Sequence, residues 1–178
     1  MSDYSLVIIL CEDRQHEVFM RTFLIGRGVS PHRIRVKIAP EGRGSGEQYV
    51  RRQYPKEVKV YRSKCHHLNI ALATMIDADT KSVIDRQNEL DALLTEAQLN
   101  RRQENERIGI FVPKRNIETW LYYLMGDGVD EMTDCAPLKK KGDCKPYVKR
   151  LARDCHQPLE HKAPRSLQAA CKELSRIP

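Results

Sequence analysis

No apolar stretch in this chain approaches the roughly 20 residues a membrane-crossing helix needs, so no helical span and no membrane partner are expected. The first residues lack a basic segment followed by an apolar core and a cleavage site, so no secretory leader is expected and the expected address is cytoplasmic. Six cysteines, at 11, 65, 135, 144, 155 and 171, include no C-x-x-C pair. In a reducing cytosol, this argues against a disulfide framework. Cys65-His66-His67 and Cys155-His156 set soft metal ligands side by side, but adjacent residues rarely ligate one ion and the spacing matches no zinc finger or ribbon. Ordinary thiols are the plainer reading, with structural zinc the alternative. There is no internal repeat, low-complexity tract or Walker motif. Gly42, Gly44 and Gly46 lack the strand-to-helix setting and the lysine of a phosphate loop, which excludes that kind of nucleotide site.

What is present fits one ordinary domain: 178 residues, long enough to bury a core, with 40% hydrophobic and 31% charged residues. The net charge of +7 favours a polyanionic partner. Basic residues gather between 43 and 52, at Lys114-Arg115, and in Lys139-Lys140-Lys141 through Lys145, Lys149, Arg150 and Arg153. A solvated surface is the plain reading of such runs. The other is contact with DNA or RNA, for which Arg43, Arg115, Lys139, Lys140 and Lys141 are the candidates. The sequence leaves a homo-oligomer open.

Leu6-Val7-Ile8-Ile9-Leu10-Cys11 has no polar alternation, as in a strand buried on both faces. Val18, Phe19, Thr22 and Phe23 then recur on one helical face, with Gly26 and Gly28 as stops. Residues 33–38 alternate like an edge strand. A helix is expected over 47–67, interrupted at Pro55, although Val58-Lys59-Val60-Tyr61 also reads as a short strand. The run 68–76 is a further buried strand. Val83, Leu90, Leu94 and Ala97 mark an amphipathic helix, 107–112 another strand, and Ile117, Trp120, Leu121 and Leu124 a short helix with Asn116 as its N-cap. Two more helical patterns follow near 143–155 and 165–176. Alternating strands and helices predict an α/β fold: an open, mostly parallel sheet of about four strands flanked by helices over 1–126, with a basic helical C-terminal extension over 127–178.

Ligands of such sheets collect beyond the carboxyl ends of the strands. There the first apolar run ends on Glu12, and the third on Met75-Ile76-Asp77-Ala78-Asp79. Two carboxylates alternating by one residue at a strand end suit a hard cation, Mg²⁺ or Mn²⁺. Each residue also has a plainer reading. Glu12 and Asp13 could cap the following helix, Asp77 and Asp79 could form a turn, and Glu118 could answer its helix dipole. Lys114 and Arg115 could be solvated loop charges, and Trp120 reads as core.

Strand-Glu followed by strand-Asp-x-Asp resembles the TOPRIM fold of topoisomerases, primases and OLD-type nucleases. Pro113-Lys114-Arg115-Asn116-Ile117-Glu118-Thr119-Trp120, the glycines at 42–46 and Pro164-Arg165-Ser166-Leu167 look similar to small bacterial TOPRIM-related proteins. The resemblance covers about residues 5–125. It implies a divalent-metal-dependent nuclease in which Glu12 is metal ligand or general base, and Asp77 and Asp79 hold Mg²⁺. Glu17 or His16 would stand for the further acid of OLD-type nucleases, Asp85 for a later acid and Lys114 for a catalytic lysine. Glu118 is a possible additional acid. The resemblance also implies a bacterial anti-phage effector working beside an ATPase partner. The alternatives are a non-catalytic scaffold for a protein or nucleic acid, and a hydrolase of nucleotides.

Overall fold

The computed structural model describes residues 4–42 and 44–177; Arg43, an expected nucleic-acid contact, lies outside the described residues. Four strands, β1 (Leu6–Cys11), β2 (Ile34–Ile38), β3 (Ile70–Met75) and β4 (Ile108–Phe111), form one all-parallel sheet in the order β2-β1-β3-β4. The helices are α1 (Arg14–Gly26), α2 (Gly46–Lys64), α3 (Val83–Glu96), α4 (Ile117–Met125), α5 (Lys145–Asp154) and α6 (Arg165–Glu173), with short 3₁₀ turns at Pro31–Arg33 and Leu174–Arg176. The expected α/β class and the parallel sheet are therefore present. None of the described helices is long and apolar enough to cross a membrane.

The uninterrupted apolar strands are explained by a core on each face of the sheet. Val7, Ile9, Cys11, Ala71, Ala73 and Met75 face α1, α4, α5 and α6, where Phe19, Phe23, Trp120, Leu151 and Leu167 close the layer. Ile8, Leu10, Ile70 and Leu72 face α2 and α3, against Val50, Tyr54, Val58, Leu90 and Leu94. The alternating β2 lies at an edge, with Ile34 its most buried residue.

Two expectations fail here. Pro55 does not interrupt α2, and Val58-Lys59-Val60-Tyr61 lies inside that helix rather than forming a strand. An interior proline costs about 3 kcal/mol. The stripe Val50, Tyr54, Val58 and Tyr61 is buried on the sheet, at about 1.5–3 kcal/mol for each large side chain, so burial wins. The case against disulfides also fails for one pair: Cys155 at the C-cap of α5 is bonded to Cys171 in α6, with Cα atoms 5.7 Å apart. The packing of α5 and α6 brings together thiols 16 residues apart, which no local spacing rule detects.

The strand order fixes where a ligand would lie. The chain moves from β1 to one neighbour, β2, then crosses back through α2 to pair β3 on the other side of β1. The order therefore reverses between β1 and β3. In open parallel sheets, ligands bind beyond the carboxyl ends of the strands at such a reversal. Glu12 follows β1 and Asp77 lies two residues past the end of β3.

Candidate functional site

Glu12 and Asp13 separate in role at once. Asp13 is the N-cap of α1, its Oδ1 accepting the His16 backbone N–H at 2.9 Å. Glu12 instead turns towards β3, and its Oε1 accepts the Asp77 N–H at 2.6 Å. Residues 76 and 78 bond across to the 111–113 segment, through Ile76 N–H to Phe111 O and Ala78 N–H to Pro113 O. The intervening Asp77 N–H points to the β1 side, where the ladder has ended, and the Glu12 carboxylate takes the place of the next carbonyl. Asp77 Oδ1 lies 3.1 Å from Nε2 of His16, which is wholly buried in the first turn of α1. Glu118, in the first turn of α4, is 8% exposed beside them.

A glycine lets α2 approach this group. A Cβ on Gly46 would lie 2.8 Å from both the Glu12 carbonyl oxygen and its Cβ, so any side chain there must displace something. The absent side chain brings the N-terminus of α2 against Glu12.

The charges around His16 do not balance. Burial pushes the Glu12 carboxyl up to about 7; Asp77 and Asp79 add to the rise, while His16 and the Asp77 N–H oppose it. Burial works against a charge on His16, but Asp77, then Glu12 and Asp13, outweigh it and raise the imidazole to about 10. Glu118 is raised by burial and by Asp77 and Asp13. His16 Nδ1 is buried with no hydrogen-bond partner among the described residues. One imidazolium thus answers four carboxylates at close range.

Two residues on, Asp79 has a different environment. Its backbone is left-handed, at φ 52°. Its Oδ2 meets Nη2 of Arg86 at 3.1 Å, away from His16. Arg86 is 1% exposed in α3. Its Nη1 also donates to Glu47 at 2.6 Å and Glu89 at 2.7 Å, and its Nε to the Asp77 carbonyl at 2.9 Å. Arg51 and Lys81 add ion pairs to Glu89. The structure therefore brings Glu12, Asp77 and Glu118 together around His16 and sends Asp79 to Arg86.

The other sequence candidates lie elsewhere. Glu17 pairs with Arg14. Asp85 completes a capping box with Ser82 at the start of α3. Lys114 Nζ donates to the Lys81 carbonyl, and Arg115 grips Asp134 through two bonds of 3.0 Å. Lys139, Lys140 and Lys141 are exposed. Asn116 does precede α4, but its side chain makes no capping bond; it holds the Cys135 backbone instead. Sequence reasoning missed Arg86 and the role of Gly46. The signal for Arg86 was its place on the apolar stripe of α3, four residues before Leu90, where an arginine must find buried partners.

Among the described residues, no three His, Cys, Asp or Glu side chains converge to hold a metal ion. Mg²⁺ asks for less, keeping several waters and taking one or two carboxylates together with substrate oxygens. Glu12 and Asp77 fit such an ion: each has one oxygen engaged, and Glu12 is raised by burial, with Asp77 and Asp79 adding to the rise. Asp79, the other half of the expected clamp, has its Oδ2 on Arg86, away from Glu12 and His16. Comparison of the chain with family models, curated proteins and solved structures finds no match.

Proposed function

We propose that this protein hydrolyses phosphodiester bonds in DNA or RNA with a divalent cation, Mg²⁺ or Mn²⁺, held by Glu12 and Asp77. The observation that carries this reading is the Glu12 carboxylate bonded to the Asp77 N–H at the reversal of strand order, with four acids around the His16 imidazole. When bound, the ion would polarise a phosphoryl oxygen and acidify a water. The chain's own residues prepare the site. His16 fixes the orientation of Asp77 through Nε2. Glu12, titrating at about 7, can hold or release a proton near neutral pH. Gly46 brings the α2 N-terminus close, where the helix dipole favours an anion. The wider setting, a TOPRIM-type effector beside an ATPase partner in anti-phage defence, is proposed on resemblance alone.

One observation favours the non-catalytic scaffold: Asp79 is spent on Arg86, leaving the pair without a third acid on the same strand end. The test is incubation of plasmid, linear DNA and RNA with the protein in Mg²⁺ or Mn²⁺, beside Asp77→Asn. We expect metal-dependent cleavage that the variant loses by at least about a hundredfold, the scale of one lost electrostatic contact to the reacting group. Intact substrates under every condition would favour the scaffold.

A further inference from the structure

We infer that the groove between α1 and α5 is a track for the phosphate backbone of a nucleic acid, leading to the rim where Glu12 and Asp77 lie. The two helices run parallel. At one end, Gln15 Nε2 donates to the Lys141 carbonyl at 3.2 Å and reaches Cys144 Sγ at 3.5 Å. At the other, a Cβ on Gly26 would lie 2.8 Å from the Ala152 Cβ, and Arg27 donates to the Ala152 carbonyl. Both N-termini therefore open at the rim, where the positive ends of the helix dipoles favour anions.

From that rim a groove of about 520 Å³ runs between the helices. Arg14 and Arg21 line it from α1, Lys145 and Lys149 from α5, and Val18 and Ile25 supply apolar surface. Glu17 is its only acid and pairs with Arg14. Arg21, Lys145 and Lys149 have no ion-pair partner among the described residues. Arg51, Arg62, Arg86, Arg102 and Arg115, by contrast, each hold a carboxylate. Three cations without an ion pair thus line one groove whose single acid is already paired. Exposed Lys139, Lys140 and Lys141 extend it at the rim, anchored there by buried Gln15.

Arg14 and Arg21 are seven residues apart, about 10 Å along a helix. A strand of nucleic acid at about 3.4 Å per phosphate places about three charges over that length. A cationic groove that opens at the rim carrying Glu12 and Asp77 suits a threaded polymer better than a flat anionic membrane. The choice of nucleic acid over another polyanion rests on the phosphodiesterase reading.

The test is fluorescence anisotropy of a labelled single-stranded oligonucleotide across a salt series, with EDTA present so that no cation site contributes. The variants are Arg21→Glu/Lys145→Glu/Lys149→Glu, the same three positions changed to Gln, and an α2 control, Lys59→Glu/Lys64→Glu. Thermal melts check that each folds. We expect the glutamate triple to bind at least about tenfold more weakly, and both triples to lose about 2 from the slope of log affinity against log salt, since each single-strand phosphate contact adds about 0.7. The control should bind as the unaltered protein does. No binding by the unaltered protein, or equal losses in triple and control, would overturn the inference. So would equal affinity for polyglutamate or phosphatidylserine vesicles. Groove-dependent binding without cleavage in Mg²⁺ would uphold the track and sink only the catalytic reading.

Discussion

Around Arg86, three cations (Arg86, Arg51 and Lys81) meet three carboxylates (Glu47, Glu89 and Asp79) in a closed network of ion pairs. Around His16, one imidazole faces Glu12, Asp13, Asp77 and Glu118. The two clusters share a strand end and differ in what their acids experience. Glu89 is held below the ordinary carboxylate range, because Lys81, Arg86 and Arg51 outweigh its burial, whereas Glu12 is pushed up to about 7. A balanced cluster holds the fold together. An unbalanced one stores a demand for positive charge, which is what a cation site needs before its cation arrives.

The largest expected effect comes from breaking the balanced side. Arg86→Met removes the partner of three acids and a bond to the Asp77 carbonyl, and should cost about 3–5 kcal/mol in chemical denaturation, the range for one lost member of a buried pair. A loss under about 1 kcal/mol would mean that the network contributes little and the contrast between the clusters is false.

Next comes Gly46→Ala, which acts where the clusters touch, since Glu47 belongs to one and Gly46 rests on Glu12 of the other. The added methyl should cost about 1–3 kcal/mol as overpacking. It should also weaken any divalent-cation binding, measured by calorimetry, by displacing Glu12.

The third effect is a pH dependence. Glu12 in the folded chain keeps its proton up to about 7, whereas the unfolded chain releases it near 4.5. Stability should therefore fall as pH rises between those values, on the order of 3 kcal/mol, and stay low above them. His16 is raised from 6.5 to about 10, so its contribution is complete below pH 6.5 and is lost as pH rises through 10. In melts from pH 4 to 10, Glu12→Gln should flatten the lower slope and move the upper one to lower pH, because Glu12 helps to raise His16. Mn²⁺ should restore stability above pH 7 in the unaltered protein. A slope unchanged by Glu12→Gln would assign it to another group.

Much of the fold was legible because burial on both faces of a parallel sheet leaves strands with no polar alternation, and β1 and β3 carry that mark plainly. The helix across Pro55 was not, because the deciding term was the tertiary burial of Tyr54 and Val58. At the site, Glu12 and Asp77 were found from their place at strand ends. That Asp79 would leave them was not legible: it depends on a left-handed backbone at Asp79 and on Arg86 arriving from the next helix. The Cys155–Cys171 bond depends in the same way on how two C-terminal helices pack.

The central claim is that Asp77, and not its neighbour Asp79, serves a cation. Isothermal titration of Mn²⁺ into the unaltered protein, Asp77→Asn and Asp79→Asn tests it directly. We expect binding that Asp77→Asn abolishes and Asp79→Asn leaves within about threefold, a difference of less than 1 kcal/mol. No binding by the unaltered protein, or equal loss in both variants, would contradict it.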